Sequence, residues 1–155
     1  MIRRAQDKDM DRINDLLSQV LEIHAKIRPD IFIPGTRKYT SDELKEIIHD
    51  DNTPIYVYTD ENDVVLGYAF CIIKQPAFST NMKPNITLFI DDLCVDEHAR
   101  GQSVGRKLFE YVKQQAQLLG CHNITLNVWE GNDSARRFYE RCGFGIQETV
   151  MEIIL

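Results

Sequence analysis

The chain has 155 residues, of which 43% are hydrophobic, and this is the size and composition of one globular domain spanning residues 1–155. Its net charge of −6 argues against a nucleic-acid surface, and no apolar run reaches the roughly 20 residues that cross a bilayer. The four cysteines lack CxxC spacing and have apolar neighbours, so we expect reduced thiols, no metal site and a cytoplasmic protein.

Hydrophobic periodicity in the first half of the chain predicts strands and helices that share one sheet. The expected elements are a strand at 1–5, a helix at about 8–27, a helix that starts at Thr40 or Ser41, and strands at 53–59 and 63–74. The short stretch at 60–64 has the spacing of a hairpin turn.

The second half continues the alternation of strand and helix patterns. The expected elements are a strand at 86–95, a helix at about 103–119, a strand at 123–129, a helix at about 132–141 and a final strand at 148–155. We find no internal repeat, low-complexity tract or interdomain linker. The predicted fold class is therefore a mixed α/β domain.

The stretch HARGQSVGRKLFEYV, residues 98–112, joins a strand to the helix that follows it. Backbone N–H groups at a helix start are unpaired and attract anions, glycine lets a ligand approach closely, and arginine adds charge suited to phosphate. The loop therefore predicts a pyrophosphate site. A glycine-containing turn with solvated arginines would show the same residues, whereas a Walker loop is excluded because its Lys-Ser/Thr ending is missing.

Two motifs make the interpretation of this loop more specific. Residues 100–105, RGQSVG, align with the pattern Q/R-x-x-G-x-G/A at every position except Ser103, and residues 132–144 match N-x-x-A-x-x-F-Y-x-x-x-G-F. On these residues the sequence resembles the GNAT family of N-acetyltransferases. The resemblance implies a GNAT-type fold, with a central, mostly antiparallel sheet that is splayed between its fourth and fifth strands and flanked by about four helices.

The resemblance also implies acetyl-CoA as the cofactor. Its pyrophosphate is expected on the loop formed by Arg100, Gly101, Gln102, Ser103, Val104, Gly105 and Arg106. Its pantetheine arm is expected along Leu93, Cys94 and Val95, with further contacts from Asn132, Ala135 and Tyr139. Ser103 replaces a glycine of the family pattern. Its Cβ narrows the approach of the pyrophosphate to the loop backbone, while its hydroxyl is available to cap the helix or to contact phosphate. Asn132 is also a plausible helix N-cap.

The resemblance makes Tyr139 the expected general acid, because a departing thiolate gains from a proton donor. The Leu93 N–H is the expected oxyanion donor. For the base, Asp91 and Asp92 alternate across one strand, so at most one faces the acceptor unless a bulge intervenes. We favour Asp91, which should share its face with Leu93 and Val95, and keep Asp92 in reserve. A structural aspartate at a strand end would show the same sequence.

The acceptor side is expected between the first two helices and beyond the fifth strand, at Phe32, Arg37, Tyr39 and Trp129. The implied activity is acetyl transfer to a primary amine of a small cationic acceptor, such as a polyamine or an aminoglycoside. Acetylation of a protein lysine or N-terminus and a non-catalytic CoA-binding sensor are the alternatives. We expect no nucleic-acid or membrane partner, and a homodimer is consistent with a sheet edge left to be covered.

Overall fold

The structure, a computed structural model, describes residues 1–75 and 80–155. Within these ranges the strands are β1 (Ile2–Arg4), β2 (Ile55–Thr59), β3 (Val65–Lys74), β4 (Thr87–Val95) and β5 (Asn123–Leu126). The α-helices in the same ranges are α1 (Met10–Ile27), α2 (Ser41–His49), α3 (Val104–Leu118) and α4 (Asp133–Arg141). Short 3₁₀ turns at Asp7–Asp9 and Glu97–Ala99 lie before α1 and α3.

The strands form one sheet in the order β1-β2-β3-β4-β5. Strands β1 to β4 pair antiparallel, and β4 pairs parallel with β5. The β4–β5 pairing covers only Thr87–Ile90 and Asn123–Leu126, so the rest of β4 has no partner on that side among the described residues. The expected mixed sheet, splayed between its fourth and fifth strands and flanked by four helices, is confirmed.

Apolar side chains on both faces of the sheet hold two layers of helices against it. On one face, Ile13 of α1 and Leu44 of α2 share a buried cluster with Tyr68 of β3. On the other face, Val112 of α3 shares a cluster with Ile90 of β4. Each fully buried aliphatic side chain contributes about 1.5–3 kcal/mol, so the sheet is fixed between its two helical layers.

A β-bulge in β4 changes which residues face which layer. Phe70 of β3 lies opposite Asp92 while Cys71 lies opposite Ile90, so Asp91 is an extra residue with no opposite partner on β3. Before the bulge, the even-numbered residues of β4 pack towards α3. After it, the odd-numbered residues do.

The bulge overturns the expected orientation of Asp91. Leu93 and Val95 pack on the α3 side of the sheet, whereas Asp91 contacts Lys38, which lies in the segment before α2. The prediction that Asp91 shares a face with Leu93 and Val95 is therefore wrong, because strict alternation fails at a bulged residue.

Charged groups fasten the start of α1 to the sheet and to the turn after β4. Arg12 forms an ion pair with the buried Asp96 and donates a hydrogen bond of 2.9 Å to the carbonyl oxygen of Val65. Asp96 also accepts a hydrogen bond of 2.7 Å from the His98 amide. Because an unpaired buried charge is costly, this pair holds the entry to the loop in place.

The structure differs from the sequence expectation at two strands. β5 ends at Leu126 instead of 129. The strand expected at 148–155 is wrong, because these residues pair with no described strand and are exposed to solvent. The fold of the chain itself supplies no neighbour for that segment, and a strand needs one to satisfy its backbone groups.

All four cysteines are free thiols, and Cys71 and Cys94 are buried. In residues 1–75 and 80–155, no group of three or more His, Cys, Asp or Glu side chains is placed to hold a metal ion. No helix in these ranges has the length and apolar character needed to cross a membrane.

Gly67 of β3 provides a test of how closely α3 lies on the sheet. A Cβ at this position would be 2.9 Å from the Cys94 carbonyl oxygen and 3.0 Å from the Leu108 side chain. We expect Gly67→Ala to lower the free energy of unfolding by about 1–3 kcal/mol, because the backbone oxygen cannot move aside. Chemical denaturation measures this change. Gly145→Ala, where a Cβ meets no atom within 4 Å, is the control and should change stability by less than about 0.5 kcal/mol; equal effects would contradict the packing.

Candidate active site

The loop between β4 and α3 presents unpaired backbone N–H groups. Helix α3 begins at Val104, and the amides of Val104, Gly105 and Arg106 donate no hydrogen bond to any described residue. Gly101 and Ser103 have φ angles of 85° and 61°, which turn the chain into this helix start. The loop therefore offers the N–H groups of a helix N-terminus to an anion.

A free stretch of β4 precedes this loop in the chain. Beyond Ile90, β4 pairs with β3 but with no other described strand, so backbone groups of 91–95 that face the gap to β5 are open. Such an edge binds an extended ligand through main-chain hydrogen bonds, as it would bind a further strand.

Close packing of α4 explains why position 105 is a glycine. A Cβ added to Gly105 would lie 3.3 Å from the Phe138 ring and 3.4 Å from Val95. Asn132 caps α4, since its side chain accepts a hydrogen bond of 3.4 Å from the Ala135 amide. The loop, β4 and α4 therefore meet closely, and their packing fixes the direction in which α4 presents its side chains.

Tyr139 lies on α4 between two aromatic neighbours. Its ring meets Phe138 and Phe144 edge-on, at centroid distances of 5.2 and 5.7 Å. Burial raises the pKa of Tyr139, and the negative charge of nearby Asp92 raises it further. The phenol therefore stays protonated at neutral pH, which is the state that a proton donor needs.

Asp92 is the less exposed carboxylate of the aspartate pair. It accepts a hydrogen bond of 2.6 Å from the hydroxyl of Tyr68, a fully buried residue of β3. Burial raises the pKa of Asp92 to about 6, because the opposing effects of the Tyr68 hydroxyl and the Lys38 ammonium are smaller than the loss of hydration. A carboxylate with this pKa is mostly ionised at pH 7 and is still basic enough to accept a proton.

Asp91, the more exposed carboxylate, holds a cation. The Lys38 ammonium lies 3.3 Å from its carboxylate and 5.3 Å from the centre of the Tyr39 ring. Burial by itself would lower the pKa of Lys38, but the electrostatic effects of Tyr39, Asp91 and Asp92 and the hydrogen bond to Asp91 outweigh burial, and the pKa is raised. The site therefore stabilises an alkylammonium group beside the two aspartates.

The residues predicted for the acceptor side fall in different places. Phe32 and Trp129 meet edge-on with their ring centroids 5.7 Å apart, and the Arg28 guanidinium lies 5.5 Å from the Trp129 ring centre. Tyr39 stacks on a phenylalanine of β3 beside the aspartate pair, with 6.0 Å between centroids. Arg37 is exposed and forms no hydrogen bond or ion pair with a described residue.

His24 of α1 lies beside the first of these aromatic groups. Its ring centroid is 5.2 Å from that of Phe32. Burial lowers the pKa of His24, and the positive charge of Lys38 lowers it further. His24 is therefore neutral at pH 7 and places an uncharged polar group beside Phe32.

The loop arginines have different surroundings. Arg106 pairs with Glu110 at 3.1 Å and donates a hydrogen bond of 3.0 Å to the carbonyl oxygen of Arg141, so its side chain points towards the end of α4. Arg100 and Gln102 are exposed. Arg100 is therefore the loop side chain best able to bring positive charge to a bound anion, while Arg106 offers its backbone N–H.

Three site residues have no clear sequence signal. Tyr68 lies in an apolar strand, where alternation predicts a core residue, and the bulged register brings its hydroxyl to Asp92. Lys38 lies between Arg37 and Tyr39, which the sequence predicts to contact the acceptor, but nothing in the sequence marks the lysine itself. Arg28 ends the first helical pattern, and nothing in the sequence separates it from an ordinary surface arginine.

Comparison with known proteins identifies the family. The model of the acetyltransferase (GNAT) family matches residues 17–144 of the chain. The chain belongs to this GNAT acetyltransferase family. It is therefore an N-acetyltransferase with acetyl-CoA as its acetyl donor.

Individual relatives of this GNAT enzyme share modest identity with it. The spermine/spermidine N(1)-acetyltransferase of Bacillus subtilis (strain 168) is 29% identical over 132 residues, which cover 84% of this chain and 82% of that protein. A tetramutant of the BH1408 protein from Bacillus halodurans has a TM-score of 0.95 at 30% identity, covering 100% of this chain and 99% of its own. The aminoglycoside N-acetyltransferase AAC(6')-Iy, solved in complex with CoA, shares the fold, with a TM-score of 0.72 at 15% identity and coverage of 100% and 98%.

The residues of this GNAT loop fit acetyl-CoA. Unpaired N–H groups at Val104, Gly105 and Arg106 suit a diphosphate, and the open edge of β4 suits the amides of a pantetheine arm. A Cβ added to Gly101 would meet no atom within 4 Å, so the mouth of the loop is open. Bound there, acetyl-CoA supplies an activated acetyl thioester.

Ser103 tests the geometry of this loop. Its backbone adopts the left-handed conformation, with φ 61° and ψ 22°, and its hydroxyl does not cap α3. We expect Ser103→Gly to be as stable as the parent or up to about 1 kcal/mol more stable. Glycine relieves the strain of the left-handed backbone in the folded chain, but its greater conformational freedom in the unfolded chain opposes this gain. Ser103→Val should lose more than about 1 kcal/mol, since β-branched residues disfavour this conformation. Thermal unfolding and calorimetric titration with CoA check that stability and CoA affinity decrease in the order Gly, Ser, Val at position 103. A valine variant with the stability and the CoA affinity of the parent would contradict this order.

Proposed function

We propose that this GNAT enzyme acetylates a primary amine of a small cationic acceptor, such as a polyamine or an aminoglycoside. The amine nitrogen attacks the acetyl carbonyl directly, so the new C–N bond forms as the C–S bond breaks. In this mechanism Asp92 takes the amine proton, directly or through water, and Tyr139 protonates the departing sulfur. The Leu93 N–H stabilises the carbonyl oxygen, and Asp91 binds a positive charge of the acceptor.

The observation that carries this proposal is the ammonium group of Lys38 at the aspartate pair. An alkylammonium of the chain itself lies 3.3 Å from Asp91, beside an aromatic ring. A cationic acceptor presents the same chemical group and would take the place of the lysine. The likeness to the Bacillus subtilis spermine/spermidine N(1)-acetyltransferase supports the same class of acceptor.

Proton removal is the main energetic requirement of this reaction. An alkylamine with a pKa of about 10.4 is neutral in only about one molecule in 2,500 at pH 7, which corresponds to about 4.6 kcal/mol. Asp92 is favoured over Asp91 as the proton acceptor because it is less exposed and its pKa is raised to about 6. Asp91 is more exposed and already binds a cation, which suits it to orienting the acceptor.

Release of CoA thiol, measured across a panel of acceptors, tests the proposed function. The panel contains spermidine, an aminoglycoside, a lysine peptide and a peptide with a free N-terminus. We expect turnover with spermidine or the aminoglycoside to exceed turnover with either peptide by at least about tenfold in kcat/KM. A preference for a peptide would favour a protein acetyltransferase instead. CoA binding without thiol release for any acceptor would favour a sensor.

The pH dependence of kcat/KM tests the role of Asp92. The raised pKa means that Asp92 is protonated below about pH 6, so activity should fall as the pH drops through that value. Asp92→Asn should lower kcat/KM by about 10²–10⁴-fold and remove this acidic limb. Asp91→Asn is the matched control, and it should keep the limb while raising KM for a cationic acceptor. The opposite pattern in the two variants would assign the base to Asp91.

Replacement of the Tyr139 phenol tests the proposed general acid. Tyr139→Phe keeps the ring and its packing but removes the proton donor, so kcat should fall by about 10²-fold or more. The affinity for CoA, measured by calorimetry, should change by less than about twofold. Tyr111→Phe, which alters a ring packed against Tyr56, is the control and should keep full turnover. Full turnover in Tyr139→Phe would end the assignment.

A further inference from the structure

The segment between α1 and α2 places a lysine of the chain inside the candidate active site. The Nζ of Lys38 lies 3.3 Å from the Asp91 carboxylate and 5.3 Å from the centre of the Tyr39 ring. The charge of Asp92 also acts on this ammonium. A primary amine of the protein itself therefore lies beside the two carboxylates that are proposed to bind and deprotonate an acceptor.

The residues that follow Lys38 in the chain hold it at this place. Tyr39 stacks on Phe70 of β3, with 6.0 Å between the ring centroids, and Phe70 lies opposite Asp92 in the pairing of β3 with β4. Thr40 caps α2, since its hydroxyl accepts a hydrogen bond of 3.2 Å from an amide of the first turn. The backbone next to Lys38 is therefore fixed beside the aspartates, while its four-carbon side chain keeps the freedom to move within the site.

We propose that the enzyme acetylates the Nζ of its own Lys38 when no acceptor is bound, by transfer within one chain. This inference rests on the proposed function, because it uses the same carboxylates and the same acetyl donor. The ammonium first gives one proton to water through Asp92. The neutral Nζ then attacks the acetyl carbonyl carbon, so the C–N bond forms and the C–S bond breaks. The nitrogen loses a second proton and the departing sulfur gains one, so the products are acetylated Lys38, CoA thiol and one proton in water.

Two opposing effects set the rate of this self-acetylation. The aspartates stabilise Lys38 as an ammonium, so only a small fraction of the chains carries the lone pair that the attack needs. The covalent connection acts in the other direction, because a group in the same molecule as the reaction centre behaves as if it were very concentrated. We therefore expect self-acetylation to be slower than turnover of a free acceptor and faster than acetylation of lysines elsewhere on the surface.

Lys45 of α2 provides a matched comparison within the same chain. It also pairs with an aspartate, Asp7, at 3.8 Å, but not with the aspartates of β4. Its side chain is 59% exposed, against 49% for Lys38. An uncatalysed reaction with acetyl-CoA from solution would therefore modify Lys45 at least as fast as Lys38, and a preference for Lys38 reports transfer in the site.

Mass spectrometry of the full chain, incubated with acetyl-CoA and no acceptor, tests this proposal. A lysine deacetylase first removes acetyl groups acquired during expression, so that Lys38 starts unmodified. We expect each chain to gain one acetyl group, which digestion locates at position 38. Acetylation of Lys38 should be at least about tenfold faster than acetylation of Lys45, and its first-order rate constant should not change with protein concentration.

One variant and one inhibitor make the result specific. Lys38→Arg keeps a cation beside Asp91 but has no amine to acetylate, so it should gain no acetyl group under the same conditions. Desulfo-CoA has the pyrophosphate and the pantetheine arm but no thiol, so it competes for the donor site without reacting. An excess of desulfo-CoA should slow acetylation of Lys38 by at least about tenfold and leave acetylation of Lys45 unchanged, because only transfer from bound acetyl-CoA needs that site.

Several outcomes would overturn the proposal. Equal acetylation of Lys38 and Lys45, or acetylation of Lys38 that desulfo-CoA does not slow, would identify an uncatalysed reaction. A rate constant that rises in proportion to protein concentration would identify transfer between chains. A Lys38→Arg variant that gains as much acetyl as the parent would place the modification at another residue.

Thiol release with free acceptors, measured on the same preparation, separates this inference from the proposed function. Turnover of spermidine without acetylation of Lys38 would overturn self-acetylation and leave the proposed function intact. Acetylation of Lys38 without further thiol release for any acceptor would support self-acetylation and overturn the proposed class of acceptor. The absence of both reactions would overturn both proposals.

Discussion

One extra residue in β4 determines how the candidate active site is built. The bulge at Asp91 shifts the alternation of the strand, so Leu93 and Val95 pack towards α3 while both aspartates lie on the side of α1. The pairing with β5 ends just before the bulge, at Ile90. The same irregularity therefore gives the site its two carboxylates and leaves the open backbone edge that suits the acetyl donor.

Asp92, the carboxylate proposed as the base, also destabilises the fold. The pKa of Asp92 is raised from 3.8 to about 6, mainly by burial, so its ionised form is less favourable in the folded chain than in the unfolded chain. Stability should therefore decrease by about 3 kcal/mol as the pH rises from below 4 to above 6. The Tyr68 hydroxyl and the Lys38 ammonium limit this loss. The fully buried layers under α1 and α3 hold the carboxylate in place despite its cost.

The sequence predicted the features that depend on local pattern. Residues close together in the sequence define the helical spacing, the glycine loop and the aromatic pair on α4. The order of strands and helices followed from such local patterns. The orientation of Asp91 was not predictable, because a bulge reverses alternation and depends on pairing with β3. The contacts of Tyr68 and Lys38 with the aspartates join residues far apart in sequence, so no local pattern reports them. The final strand was expected from its β-branched residues alone, and these do not tell whether the fold supplies a neighbouring strand.

One arginine links the C-terminal residues to the aromatic pair of Phe32 and Trp129. Glu152 pairs with Arg28, and Arg28 lies over Trp129, which meets Phe32 edge-on. An exposed ion pair of this kind contributes little by itself, because two mobile side chains must be held together in water. Arg28 also lies over the Trp129 ring, so the cation–π contact helps to hold the guanidinium where the ion pair alone would not.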